Sequence, residues 1–148
     1  MQISRLLAFD FDGVLCDGLQ EYFQVAWRTY GHLEIAPNLD AIHPDRRDFP
    51  AFAEGRSVIE TGWEMPLLIH AIRTGYDLQR ILADWPKVLA EILAQPGIPN
   101  AQTLGETLDG LRDRWIAEDL AGWLGLHQFY PEVIAGLNHC LAQRGQIG

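Results

Sequence analysis

The stretch Leu6-Leu7-Ala8-Phe9-Asp10-Phe11-Asp12-Gly13-Val14-Leu15-Cys16-Asp17 constrains the fold more than any other part of the chain. Residues 3–9 form a short, mainly apolar run without Pro or Gly, and it leads directly into two carboxylates one residue apart and then a glycine. Such a run suits a strand buried on both faces of a parallel sheet better than an alternating, half-exposed one. Ligands of open α/β sheets collect at the carboxyl ends of strands, so Asp10 and Asp12 are expected where chemistry is done.

The rest of the chain reads as helical. Between residues 19 and 30 the apolar positions Leu19, Tyr22, Phe23, Ala26, Trp27 and Tyr30 recur at three and four, giving one helical face that Gly31 is expected to end. Residues 32–44 carry two prolines and no sustained period, so an irregular connection is expected. Asp45 is a cap for a helix through Glu54 that Pro50 kinks or divides, and residues 56–63 are ambiguous. Pro66 suits a first helical turn, with Leu67, Leu68, Ala71 and Ile72 as its stripe and Gly75 as its stop. Asp77 caps residues 78–84, Pro86 opens 87–94, and residues 95–100 break the pattern. Thr103 with Glu106 has capping-box spacing, ahead of Leu104, Leu108, Leu111 and Trp115. Residues 122–125 are expected to be loose. A last helix over 132–143 should turn Val133, Ile134, Leu137 and Leu141 inward.

Composition narrows the function. A formal net charge of -9 argues against a nucleic-acid partner, which needs clustered Lys and Arg, and suits a small substrate or a cation. Hydrophobic residues make up 48% of the chain, enough for a real core. The two cysteines, Cys16 and Cys140, form no CxxC pair, which implies a reducing, cytoplasmic setting with no disulfide framework. No apolar run approaches the roughly 20 residues of a membrane span. His32, His43, His70, His127 and His139 show no metal-ligand spacing, and the five tryptophans read as core.

An aspartate at a strand end can act as a nucleophile, splitting phosphoryl transfer into two easier steps. A second carboxylate close by can protonate the leaving oxygen and later activate water. Phe9-Asp10-Phe11-Asp12-Gly13-Val14-Leu15 resembles the first motif of the haloacid dehalogenase (HAD) superfamily, an apolar strand ending in Asp-x-Asp-Gly-Val/Thr-Leu. The resemblance implies an α/β, HAD-like, Rossmannoid fold. In it Asp10 is nucleophile and Mg²⁺ ligand, and Asp12 is general acid/base and, through its backbone carbonyl, second Mg²⁺ ligand. Aspartate at position 12 points to phosphate-ester chemistry on a small phosphorylated metabolite.

The same resemblance divides the chain. Residues 1–18 would be the first strand and catalytic loop of the core, 19–125 a helical cap, and 126–148 the return to the core, where Tyr130-Pro131 opens a helix. The chain itself is then predominantly α-helical, with one N-terminal core strand plus the cap. Phe11, Gly13, Arg46 and Arg47 are candidate substrate contacts, and residues 60–64 have the look of a cap loop facing the site. The phosphate-binding Ser or Thr, the Lys and the acidic pair that the family carries further on have no counterpart before Gly148. Ser57 and Lys87 lie inside the expected cap and are not given those roles. The chain is therefore expected to be an N-terminal part with little or no phosphatase activity, and its orphan strand to favour a homo-oligomer. A phosphomutase using the same aspartates and a non-catalytic, self-associating helical module are the alternatives.

Overall fold

Apolar spacing at three and four residues needs a second surface to cover it, and here the covering surface is another helix. The computed structural model describes residues 8–33, 36 and 39–144. Helix α1 (Leu19–Gly31) buries Phe23, Ala26, Trp27 and Tyr30, as the spacing requires, and also Glu21, Val25 and Thr29. It packs on α3 (Met65–Arg73) and on the long α6 (Ala101–Glu118). Helix α2 (Phe49–Gly55) and helix α5 (Trp85–Leu93) also pack on α3, and α4 (Leu78–Ala83) packs on α2 and α5.

Helix α3 departs from the expected stripe. Its residues from Met65 to Ala71 are all buried, so it is the central helix of the bundle and has no solvent face over those two turns. A helix apolar all round is what a core position demands. Around it Phe23, Trp27, Phe52, Leu67, Leu68, Ile92, Leu104 and Leu108 form one continuous core.

Local chemistry sets most helix ends. Asp77 accepts from the Gln79 amide at 2.8 Å, and Asp84 from that of Lys87, at the starts of α4 and α5. Pro50, Pro66 and Pro86 each sit in a first turn, where the missing N–H costs nothing. Pro50 divides its segment: a 3-10 turn (Arg46–Asp48), capped by Asp45, precedes α2. The capping box expected at Thr103 does not form. Asn100 takes the cap, accepting from the Thr103 amide at 2.9 Å, and the Glu106 carboxylate instead accepts from Gln102. Residues 122–125 are not loose either, because Asp119 accepts from the Gly122 amide and starts a short helix, α7 (Leu120–Leu124), with Gly125 as its cap.

The sheet differs from expectation. The described strands are β1 (Cys16–Asp17) and β2 (Gln128–Phe129), an antiparallel pair with Cys16 opposite Phe129 and Asp17 opposite Gln128. The expected parallel-sheet strand over 3–9 lies largely outside the described residues. Its described end, Ala8 and Phe9, is not strand, and Phe9 is 49% exposed. The predominantly helical character holds, whereas no parallel, Rossmannoid sheet is present among the described residues. Strand β2 leads into α8 (Pro131–Arg144), where Val133, Ile134 and Leu137 are half-buried and Leu141 is 66% exposed. Their expected inward face has no element packed over it deeply enough to bury a described side chain. Among the described residues no helix is long and apolar enough to cross a membrane.

Candidate functional site

The two carboxylates of the opening motif lie on a tight turn made of backbone bonds. The Phe11 carbonyl accepts from the Leu15 amide (2.9 Å) and from the Cys16 amide (3.1 Å), and the Gly13 amide donates back to the Cys16 carbonyl at 2.8 Å. Gly13 has φ +72°, a conformation that carries little cost only without a Cβ. Gly18 leaves room for the acidic side chain: a Cβ there would stand 2.9 Å from Oδ1 of Asp12, which would have to shift. The Tyr130 amide donates to the Leu15 carbonyl at 3.0 Å, so residues 126–130 are tied to this turn by that bond and by the β1–β2 pair. Cys16 is fully buried under the turn, and burial, followed by the nearby Asp12 and Asp17 carboxylates, pushes its thiol pKa up.

Asp12 lines a cavity of about 310 Å³. Phe11 stands beside it on the turn, Glu21 and Tyr22 come from the first turn of α1, Arg56 and Gly62 come from the segment between α2 and α3, and Met65 begins α3. Arg112 of α6, Trp123 of α7 and His127 complete the wall. Glu21 is only 2% exposed, and its carboxylate is well compensated. Arg112 donates to it from Nε at 2.8 Å and from Nη2 at 3.3 Å, and the Trp123 indole N–H donates to it at 3.1 Å. His127 packs against Trp123 with ring centroids 4.4 Å apart and the rings tilted by 57°, and it donates from Nδ1 to the Trp123 carbonyl.

Tyr22 lies between the acidic turn and Arg56. Its phenol pKa is pushed up to about 12, first by burial and then by hydrogen bonding to Asp12. The hydroxyl therefore stays protonated at any ordinary pH and can act as a donor. The Arg56 guanidinium lies over the Tyr22 ring, 5.0 Å from its centroid.

The sequence candidates divide. Asp12 and Phe11 enter the cavity wall, and of residues 60–64 Gly62 does, while Thr61 and the Trp85 indole tie the buried Glu64 carboxylate at 2.6 and 2.7 Å. Asp10 is exposed, accepts the Phe11 amide at 2.8 Å and is not part of that wall. Gly13 acts through the backbone turn alone. Arg46 lines a separate cavity with Phe49 and Gln128, and Arg47 is an exposed partner of Asp45 at 2.7 Å. The cations that line the cavity with Asp12 are instead Arg56 and Arg112, which no local sequence pattern marks. Trp123, expected in the core, is a wall residue, whereas Trp27, Trp85 and Trp115 are core.

Among the described residues no group of three or more His, Cys, Asp or Glu side chains is arranged to hold a metal. Mg²⁺ asks for less: one or two carboxylates with water and substrate oxygens completing its shell. Asp10 and Asp12, both exposed and offering only oxygen donors, fit that demand. Comparison with family models, with curated proteins and with solved structures found no match to the chain.

Proposed function

We propose that the chain carries the nucleophile and acid/base of a HAD-like, Mg²⁺-dependent phosphoester hydrolase acting on a small phosphorylated metabolite. The observation that supports this reading is Asp12: one residue from Asp10, it borders a cavity near 310 Å³, at the small end of ligand pockets, together with a protonated tyrosine and an arginine. A carboxylate oxygen of Asp10 attacks phosphorus, and the ester P–O bond breaks as Asp12 hands its proton to the leaving oxygen. Asp12, now a carboxylate, takes a proton from water, whose oxygen attacks the aspartyl-phosphate and frees inorganic phosphate and Asp10. Mg²⁺ held by Asp10 and Asp12 would offset the charge of the phosphoryl oxygens.

Turnover by these 148 residues is expected to be low. The described cavity lining contains no Ser, Thr or Lys to receive the phosphoryl oxygens, and the single lysine, Lys87, stands on α5 outside it. The test is therefore built on binding. Mg²⁺ and beryllium fluoride, an analogue of an aspartyl-phosphate, are titrated into the wild-type chain and into Asp10→Asn. Fluoride binding that needs both Mg²⁺ and Asp10 supports the nucleophile assignment. Binding that survives Asp10→Asn, or fails altogether in the wild type, overturns it.

A further inference from the structure

Four charged side chains line the cavity, and their partners are unequal. Glu21 and Arg112 neutralise one another through two hydrogen bonds. Asp12 has the hydroxyl of Tyr22 beside it. Arg56 has no carboxylate: among the described residues no ion pair reaches it, its Nη1 donates only to the Ile59 carbonyl at 3.1 Å, and its Nε is buried without a partner. A guanidinium carries five N–H donors in a fixed fork suited to two-oxygen anions, and a buried donor left without a partner is costly. The Tyr22 ring beneath it supplies cation–π attraction and no negative charge.

We propose that Arg56 is the anion-recognition residue of this cavity and that its ligand is a small organic molecule bearing a carboxylate or phosphate group there. The geometry sets the ligand's form. Asp12, Tyr22 and Arg56 share one cavity wall and Arg56 lies over the Tyr22 ring, so the acidic turn and the anion-binding end belong to the same space. Phe11, Trp123 and His127 give the space between them largely aromatic walls. The inference rests on the proposed function only in taking the group at Asp12 to be a phosphoryl group, which makes the substrate a phosphoester with a second anionic group. Recognition at Arg56 stands without it.

The experiment follows the Nε–Hε resonances of the arginines in the wild-type chain by NMR during titration with malonate, inorganic phosphate and phosphonoacetate, which carries both kinds of anion. Arg56→Gln, Arg56→Lys and the exposed control Arg114→Gln are titrated alongside, with thermal unfolding checked for each. The expected result is a saturable shift of the Arg56 resonance with at least one probe. Affinity should fall at least tenfold in Arg56→Gln, less in Arg56→Lys, and remain within twofold in Arg114→Gln. Malonate and inorganic phosphate tell carboxylate from phosphate recognition. No binding by any probe, saturation without movement of the Arg56 resonance, or wild-type affinity in folded Arg56→Gln would each overturn the proposal. Should Arg56→Gln not fold, the wild-type resonance decides alone. Arg56-dependent malonate binding in a chain that does not bind Mg²⁺ would retain this inference and sink the hydrolase reading. Mg²⁺ binding through Asp10 with an unmoved Arg56 would do the reverse.

Discussion

The helical body and the segment carrying the acidic turn are held by different forces. In the body, Trp27, Leu67, Leu68, Ile92 and Leu104 are essentially removed from water, and helix α1 packs against both α3 and α6. The acidic turn, β2 and α8 expose apolar side chains instead: Phe9, Phe11, Val14, Phe129 and Leu141 are each more than a third exposed. Backbone bonds, a two-residue strand pair and aromatic contacts of Phe11 with His127 and Phe129 hold that part. The residues proposed for chemistry therefore sit where packing contributes least, and the body that packs well supplies the walls and charges around them.

If that contrast is right, Leu68→Ala in the body should cost about 4 kcal/mol of unfolding free energy through lost burial and the cavity left behind. Leu141→Ala in α8 should stay within about 0.5 kcal/mol. Urea denaturation of both checks this, and equal losses would erase the distinction. Glu21→Ala tests the link between the two regions, since it strands the Arg112 guanidinium and the Trp123 N–H. Breaking a buried pair from one side should cost about 3 kcal/mol, and Trp123 should report altered surroundings by fluorescence.

Gly13→Ala acts on the turn alone. Nothing lies within 4 Å of the added Cβ, so only the left-handed backbone is penalised, by about 1 kcal/mol. Asp10→Asn is expected to change stability by less than about 0.5 kcal/mol, as an exposed substitution usually does, yet to weaken Mg²⁺ binding in calorimetry. The finest probe is pH. Burial holds the His70 pKa below its ordinary value, although its Nε2 donates to Gln95 Oε1 at 3.1 Å. A histidine kept neutral by folding binds fewer protons native than unfolded, so its contribution is intact above about pH 6.5 and lost as pH falls below it. Stability measured from pH 8 to pH 5 should decline less in His70→Gln than in the wild type.

Much of the body was legible in the sequence because its signals are local. The three-and-four spacing of α1, the Asp77 cap and the prolines at 50, 66 and 86 act through the nearest turn of backbone, and the structure uses each of them. Legibility failed where neighbours compete or are distant. Asn100 and Thr103 both had cap chemistry, and Asn100 prevailed by accepting the Thr103 amide. Val133, Ile134, Leu137 and Leu141 keep helical spacing, but spacing cannot say whether another element will cover them. Arg46 and Arg47 are adjacent cations that a sequence displays at once, whereas Arg56 and Arg112 reach the cavity from well-separated elements of the fold.

The sequence by itself determined the acidic turn, because Asp10, Asp12 and a glycine free to adopt φ +72° lie within four residues and close on their own backbone. It also determined that the remainder would be helical. Only the tertiary structure decided what surrounds Asp12. Glu21, Arg56, Arg112 and Trp123 come from four segments brought together by the packing of α1, α3 and α6, and no local pattern encodes which polar side chains such packing leaves paired. Glu21 found Arg112, and Arg56 was left at the cavity without an ion-pair partner among the described residues.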